Sequence, residues 1–434
     1  MQQLFLRFLT IGIALLLSQQ VSSEVCTIEG CRLCSTEIAD CTTDDPDSPF
    51  PHELDNDTKK LYIYYYGQDI TVNEGMLHHF NKLAELHLAD NFRAIQSDAF
   101  SKLLHLEKLT LNNVSLTKIE DDAFGSNSSL TYLNLTSPKM ELTPTNVFHS
   151  PVNVQVLDLT DSNNMMVCSS DLTNIGEEFK LLSSLKKLKK DNIGNYGGRC
   201  RYISHNYFNP ISQVSELHLS ESGFLEGPQT LLKPLINLKI LHINDVSPYK
   251  ECPNLAKELF ANLPQGLENL RARDWKTHFA MNASCIIDQQ TLEGLKILPN
   301  LTTLDFRYSD KIFGNTIPKS LFHGMEALKS LDLGWSRFND IETGAFSGLN
   351  LTSLVLDSNQ LGTREFWPFG PDSPTLTSPV KTLSMFKCGI DALDYYAYFI
   401  TRSFPNLESL DLGYNDWFTC RNSERKVILR QPQK

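Results

Sequence analysis

Residues 83–91 read LAELHLADN, and the uneven spacing of their leucines decides the fold. Leu86 and Leu88 stand two positions apart, so in a β-strand both side chains point to one face while His87 points to the other. Leu83, three positions earlier, fits neither strand alternation nor a helix. The stretch therefore predicts a short strand that is entered by a bend and directs its leucines into a core.

The same pattern recurs along most of the chain, as in LEKLTL at 106–111, LTTLDF at 301–306 and LESLDL at 407–412. The second leucine of each copy, which we call the marker residue, lies at positions 61, 86, 109, 133, 157, 188, 217, 241, 270, 304, 331, 354, 383 and 410. Successive markers are 23 to 34 residues apart. A unit this short cannot bury its own apolar face, so the copies must stack on one another.

This pattern resembles the LxxLxLxxN consensus of the leucine-rich repeat family over roughly residues 50–420. The resemblance implies an α/β fold: a leucine-rich repeat solenoid, curved like a horseshoe, with a concave parallel β-sheet, about 14 irregular repeats and a disulfide-rich N-terminal cap. The segments that return between strands carry a second apolar mark, which adds bulk on the outer side and favours a curve with the strands inside: Phe100, Phe124, Phe148 and Phe346.

The irregularity of the repeats is visible at the consensus asparagine, whose amide can satisfy backbone groups of the neighbouring turn. That position is Asn at 91, 359 and 415, is Ser at 162, 222, 309 and 336, and holds other residues elsewhere. Together with long steps in the middle of the chain, this predicts uneven curvature and protruding loops around 160–206 and 247–300.

The N-terminus carries a secretion signal rather than structure. Residues 4–17, LFLRFLTIGIALLL, form an apolar run followed by small residues at Val21 and Ser23, as at a signal-peptidase site. A transmembrane anchor is the alternative, but the run is short for one. No later stretch approaches a spanning length. We therefore expect a secreted or extracellular protein with no membrane insertion in the chain as given, or a cell-surface protein if it is a fragment of a membrane receptor.

Four segments are predicted: a signal peptide (1–23), a cysteine-rich N-terminal cap (24–57), the solenoid (58–415), and a truncated or atypical C-terminal cap with a basic tail (416–434). The last resembles a C-terminal cap in NDWFTC at 415–420, although only one of the expected cysteines is present.

Ten cysteines in a secreted chain indicate disulfides. Four cluster before the first repeat, and two disulfides are favoured there over a zinc site or a redox pair: Cys26, Cys31, Cys34 and Cys41. Four more lie at similar positions in neighbouring repeats, where stacking brings residues within disulfide reach. We predict Cys168–Cys200 and Cys252–Cys285. Cys388 takes the asparagine position of its repeat, so it is either a buried free thiol or a partner of Cys420.

No catalytic constellation, metal site or cofactor-binding motif is present in the sequence, so we expect neither an enzyme nor a cofactor. The formal net charge of −12 repels nucleic-acid backbones at long range, so no nucleic-acid partner is expected, although a local basic patch could overrule that average. Seven glycosylation sequons occur, at Asn56, Asn113, Asn127, Asn134, Asn282, Asn300 and Asn350. Asn134 lies between two core leucines, so a glycan there would block the N-terminal part of the concave face.

The residue after each marker faces outward on the concave sheet, and these residues form one ladder. Its middle is basic or titratable, and aspartates with aromatic residues three positions further on follow. The predicted ligand-binding residues are Lys189, His218, His242, Arg271, Asp305, Tyr308, Asp332 and Trp335. The alternative for any one of them is ordinary solvated surface. A second hypothesis is that His218 and His242 sense endosomal acidity.

The secretion signal, cysteine cap, uneven repeats and sequons together resemble the ectodomains of Toll-like receptors, although the chain shows neither a membrane helix nor an intracellular signalling domain. The resemblance implies a pattern-recognition role, a protein or microbial ligand on the concave face or flanks, and receptor dimerisation. Two alternatives stay open: an adhesion or matrix protein that holds a growth factor or guidance cue, and a secreted enzyme inhibitor.

Overall fold

The computed structural model describes most of the region that the repeats cover. The described residues are 26–47, 49–112, 115–125, 129–136, 153–160, 179–191, 208–220, 228–244, 252–274, 289–309, 315–319, 321–342, 344–361, 379–390, 400 and 403–415. The predicted signal peptide, the tail after 415 and the sequons at Asn113, Asn127 and Asn282 therefore lie outside the described residues.

Short strands recur at every marker leucine. In chain order they are β1 (Cys31–Cys34), β2 (Ala39–Thr43), β3 (Lys60–Val72), β4 (Glu85–Ile95), β5 (Lys108–Asn112), β6 (Lys118–Ile119), β7 (Tyr132–Thr136), β8 (Val156–Asp158), β9 (Lys187–Lys189), β10 (Glu216–His218), β11 (Ile240–His242), β12 (Asn269–Arg271), β13 (Thr303–Asp305), β14 (Thr316–Ile317), β15 (Ser330–Asp332), β16 (Asp340–Ile341), β17 (Ser353–Val355), β18 (Thr382–Ser384) and β19 (Ser409–Asp411).

Helices are few and lie between strands. Those in the described part of the chain are α1 (Glu74–Leu77), α2 (Pro228–Leu231), α3 (Cys252–Ala261) and α4 (Gln289–Lys296), with a 3₁₀ helix at Asn209–Ile211. Both α3 and α4 fall in the stretch 247–300, where the sequence predicts a protruding loop. Among the residues described, no helix combines the length and apolarity needed to cross a bilayer.

Seventeen of the described strands form one sheet. From β2 to β19 the repeat strands pair in parallel and in register, so that each marker leucine lies opposite the marker of the next repeat, from Leu61 with Leu86 to Leu383 with Leu410. The markers are buried, with relative exposures between 0% and 3%. A leucine-rich repeat solenoid with one parallel sheet is thereby confirmed.

The return segments supply the second layer of the core. Phe100 stacks on Phe124 with ring centroids 5.9 Å apart, and Phe322 stacks on Phe346 at 6.2 Å. All four rings are buried. Because the aromatic spine is bulkier than the strand side, successive repeats are held further apart on the outside than along the sheet.

The cap closes the first edge of the sheet. Strand β1 pairs antiparallel with β2, which continues the parallel sheet by pairing with β3. Two disulfides hold the hairpin, Cys26–Cys34 and Cys31–Cys41, as favoured from the sequence. Covering the edge in this way removes a row of unpaired backbone groups that would otherwise invite another strand.

Three other cysteine predictions have different outcomes. Cys388 is a free, buried thiol rather than the partner of Cys420. Its Sγ takes the place of the consensus asparagine and donates to the carbonyl of Leu356 at 3.1 Å, so it is aimed inward. The predicted pairs Cys168–Cys200 and Cys252–Cys285 lie outside the described side chains.

Candidate ligand-binding surface

The concave face carries one outward side chain from each repeat, immediately after the marker leucine. In-register pairing places six of the predicted ligand-binding residues side by side on six neighbouring strands, in the order Lys189, His218, His242, Arg271, Asp305 and Asp332. Neighbouring strands in a sheet are about 4.8 Å apart, so these groups interact directly. The six residues thus form one continuous row across the sheet, and the role of this row in binding stays a prediction.

The middle of the ladder is largely paired with itself. Lys189 Nζ lies 2.8 Å from Asp158 Oδ2, and although burial alone would lower it, the Asp158 carboxylate raises the pKa of Lys189. On the next strand, Glu216 Oε1 accepts from Lys187 at 2.6 Å and lies 2.8 Å from His218 Nε2. These charges are already satisfied within the fold.

The two ladder histidines stack on one another, with ring centroids 4.0 Å apart. Burial lowers the pKa of His242 to about 3, assisted by His218 and Arg271 nearby. Burial also lowers the pKa of His218, against the opposing effect of Glu216. With a pKa of about 3, His242 is neutral throughout the endosomal range. The hypothesis that the two histidines together sense mild acidity stays a prediction, since the pKa of His218 is lowered as well.

Asp305 is buried, with 5% relative exposure, where the sequence predicts an open ladder position. Its Oδ2 accepts from Arg273 Nε at 2.7 Å and lies 3.1 Å from Arg307 Nη2. Both arginines lie three residues after a marker, on the same concave face. They fold over the carboxylate, so Asp305 is an internal ion-pair partner in this structure, and its contact with a ligand stays a prediction.

Asp332, one strand further on, is only partly neutralised. Its Oδ2 lies 3.1 Å from Arg307 Nε, and its Oδ1 accepts from the Gly334 N–H at 3.0 Å. Burial nevertheless raises the pKa of Asp332 to about 7, and the carboxylates of Asp305 and Asp357 add to the shift while Arg273 opposes it.

Two further carboxylates continue the acidic stretch toward the C-terminal end. Asp357 Oδ1 accepts from the Ser384 hydroxyl at 2.5 Å and the Phe386 N–H at 2.9 Å, and burial together with Asp411 raises its pKa against those hydrogen bonds. Asp411 Oδ1 accepts from the Gly413 N–H at 3.0 Å. We call Asp332, Asp357 and Asp411 the acidic floor.

A row of exposed side chains borders this floor. Tyr308, Trp335, Lys387 and Tyr414 each stand four residues after a marker, and their backbone φ angles are +61°, +58°, +55° and +56°. A left-handed conformation is costly for such residues and persists only where the surrounding structure fixes it. The turn therefore sets the direction in which each side chain leaves the solenoid. We call these four residues the aromatic rim.

Three of the four rim side chains lie against one another, and all four remain open to solvent. Tyr308 and Trp335, both predicted from sequence, stack with ring centroids 5.5 Å apart, and are 40% and 41% exposed. Lys387 Nζ lies 5.8 Å from the centroid of the Trp335 ring. Tyr414 is 63% exposed and contacts Phe386, with centroids 4.8 Å apart.

Sequence reasoning missed Lys387, Tyr414, Asp357 and both arginines that cover Asp305. The available signal was the spacing from the marker: the third and fourth residues after it also reach the concave edge. The sequence-based ladder used the first residue after each marker, and the fourth was included only at Tyr308 and Trp335.

The N-terminal part of the same face is occupied differently. Tyr62 and Tyr64 pack around His87, with ring centroids 5.8 Å and 5.6 Å away. Asn134 sits in the ladder between Thr110 and Asp158, so its sequon does face the concave side. The sequons at Asn56, Asn300 and Asn350 are exposed elsewhere.

Comparisons with known proteins agree on the type of fold. A family profile described as leucine rich repeat matches residues 104–165 and 299–361. Tsukushi of Gallus gallus is 30% identical over 288 residues, which cover 61% of this chain and 71% of Tsukushi.

Two solved structures are also similar. The first is described as a TLR13–ssRNA13 complex; it is 18% identical with a TM-score of 0.49, and the match covers 83% of this chain and 44% of that one. The second is the internalin inlF of Listeria monocytogenes, 16% identical with a TM-score of 0.47, with 80% and 86% covered. The chain thus spans less than half the length of the TLR13 chain.

Proposed function

This chain belongs to the leucine-rich repeat family, and from that premise we propose that it is an extracellular binding module that grips a protein partner with the C-terminal half of its concave face. Solenoids of this kind present an extended concave surface to their partners. The paired disulfides of the cap fit an oxidising, extracellular compartment.

The observation that carries the proposal is the aromatic rim. Tyrosine and tryptophan are enriched among residues that dominate binding energy at protein interfaces. In this rim, Tyr308, Trp335 and Tyr414 are exposed together beside charged groups, on one edge of one sheet. In the middle of the ladder, by contrast, Lys189 is paired with Asp158, and Asp305 is paired with Arg273.

Within this class we propose the ligand-binding part of a pattern-recognition receptor, or a secreted form of one. The uneven repeats, the cysteine cap and the sequons support it. An adhesion or matrix role is the second candidate, and the relationship to Tsukushi fits either. The activity proposed is binding rather than catalysis, as is general for leucine-rich repeat proteins. A protein is favoured over a nucleic acid because the acidic floor repels phosphates.

A glycan placed on the proposed surface tests this assignment. Thr382→Asn creates the sequon Asn-Leu-Ser on β18, where residue 382 is exposed at the concave face. Glu408→Thr creates the sequon Asn-Leu-Thr at Asn406, an exposed position equivalent to the native sequons at Asn300 and Asn350 on the lateral surface. The second variant is the matched control, since both changes lie in neighbouring repeats.

Both variants and the unmodified chain are secreted from cultured cells, and occupancy of each new site is read from the mass before and after enzymatic removal of glycans. Each is then probed against an array of extracellular protein domains. We expect the concave glycan to abolish the contacts that the unmodified chain makes and the lateral glycan to preserve them. Contacts that survive a fully occupied glycan at position 382 would overturn the assignment.

A further inference from the structure

We propose that the aromatic rim and the acidic floor together bind a basic segment of the partner protein, one that presents lysine or arginine side chains in an extended stretch. This inference rests on the proposed function and specifies the chemistry of its partner. The rim supplies flat contact area, and the floor beside it supplies negative charge.

The balance of charges on the surface determines which charge the partner segment should carry. Arg273 and Arg307 are engaged by Asp305, and Arg307 is shared with Asp332. Asp357 and Asp411 accept only neutral donors in the described part of the chain. The floor therefore has more carboxylates than its own cations neutralise, and a cation from outside would complete it.

The carboxylates are also placed where an outside cation has a large effect. All three are half-buried beneath the rim, so their attraction for a cation is less screened than at an open surface. The raised pKa of Asp357 and of Asp332 is the expected consequence of negative charge held in such a place without enough positive charge beside it.

The protein itself shows what the face of Trp335 accepts. Lys387 Nζ reaches across the intervening repeat to stand 5.8 Å from the centre of that ring, which is the geometry of a cation–π contact. A lysine or arginine of the partner can take the same position. Because Lys387 carries the same positive charge as such a side chain, it competes with the partner for the Trp335 ring.

The dimensions fix the size of the segment. Asp332 and Asp411 are separated by the strands β15, β17, β18 and β19, which pair in that order. Three strand spacings amount to about 14 Å, which about five residues of extended chain would cross. A single loop or strand of the partner is therefore long enough to meet the whole floor.

Fluorescence anisotropy with two labelled peptides tests the proposal. One is an eight-residue peptide of alternating arginine and glycine, and the other has glutamate in place of arginine. The unmodified chain should bind the arginine peptide and not the glutamate peptide. The double variant Asp357→Asn with Asp411→Asn should weaken binding about tenfold or more. Asparagine keeps the Oδ1 that accepts the internal hydrogen bonds of each aspartate, replaces the second oxygen with an NH2 group, and removes the charge.

Two rim variants should change the affinity for the arginine peptide in opposite directions. Trp335→Ala should weaken binding about tenfold, whereas Lys387→Met should tighten it because a competing cation is removed. Glu326→Gln, an exposed lateral charge, and Tyr66→Ala, an exposed tyrosine at the far end of the sheet, are the matched controls and should change nothing.

Equal binding of the two peptides, or no binding of the arginine peptide, would overturn the inference. So would weaker binding of the arginine peptide by Lys387→Met, which would mean that Lys387 supports the bound peptide rather than competing with it. These outcomes are separable from a failure of the proposed function: if a glycan at position 382 still blocks extracellular contacts while the charge variants leave them intact, the concave face binds but the basic segment is wrong.

Discussion

The consensus asparagine at position 359 holds two neighbouring coils together, and its removal is the sharpest test of how the solenoid is stabilised. Asn359 is 2% exposed. Its Nδ2 donates to the carbonyls of Leu333 (3.0 Å) and Leu356 (2.8 Å), and its Oδ1 accepts from the N–H groups of Ser336 (3.1 Å) and Phe338 (3.0 Å). Three of these four groups belong to the preceding repeat.

The cost of Asn359→Ala follows from counting what is left without a partner. The carbonyl of Leu356 keeps a contact from the Cys388 thiol, so two buried N–H groups and one carbonyl lose their partner. Each unsatisfied buried group costs about 1–3 kcal/mol, and the small cavity that remains relaxes only partly, so we expect a loss of about 4 kcal/mol in the free energy of unfolding.

Guanidinium unfolding followed by far-UV circular dichroism gives the free energy, and hydrogen exchange read by mass spectrometry on peptides covering 331–342 locates the effect. The amides of Ser336 and Phe338 should exchange faster while β3 and β4 stay protected. Asn339→Ala, an exposed asparagine on the same coil, should cost less than about 0.5 kcal/mol. If Asn359→Ala costs no more than this control and exchange at 331–342 is unchanged, the coils are not held by the asparagine.

Four further outcomes are expected, three of them from buried groups and one from the cysteines. Burial raises the pKa of Asp332 from 3.8 to about 7, so between pH 4 and pH 7 the folded chain holds a proton that the unfolded chain has lost. The free energy of unfolding should therefore fall as the pH rises through this window. Urea titrations at pH 5 and pH 8 should show that Asp332→Asn removes about 2 kcal/mol of that fall. The pKa of His242 is lowered from 6.5 to about 3, so its ring should show no titration by NMR above pH 5. For the same reason, the stability that it contributes is lost as the pH falls from 7 toward 3. Titration near pH 6.5 would contradict its burial. Peptide mapping without reduction should find the cap disulfides Cys26–Cys34 and Cys31–Cys41 and will decide Cys168–Cys200 and Cys252–Cys285. In the same maps, Cys388, buried and with a pKa raised to about 12, should resist iodoacetamide at pH 8 until the chain is unfolded.

The fold was readable from sequence because its rule is local. A leucine two positions from another leucine faces the same way in any strand, and stacking then places every marker opposite the next, as Leu217 and Leu241 show. The extent of β3 and β4 was not readable. They continue to Val72 and Ile95, beyond the consensus asparagine, because pairing with neighbouring repeats, rather than the local pattern, decides where a strand ends.

The candidate surface was only partly readable. The outward direction of Lys189, Asp332 and Trp335 follows from their distance to the marker. Whether such a group is open depends on contacts with another repeat, as with Arg273, which lies 32 positions before the Asp305 carboxylate that it covers. A long side chain can contact any of several neighbours, and the spacing of residues in the sequence does not indicate which of them it contacts.

This difference also leads us to expect different roles for the two halves of the ladder. A charge that is paired inside the fold must give up that partner before it can serve a ligand, so we expect the pairs of Lys189 with Asp158 and of Asp305 with Arg273 to contribute to the sheet rather than to binding. The floor residues Asp357 and Asp411 have no such cation among the residues described and keep their interaction energy for an outside group. The exposed Tyr414 stands three positions after Asp411, and the exposed Trp335 donates its backbone N–H to the carbonyl of Asp357. We therefore expect affinity to be highest where carboxylates lack a neutralising cation within the fold. This favours the C-terminal part of the concave face as the binding site over its middle, which carries more charged residues.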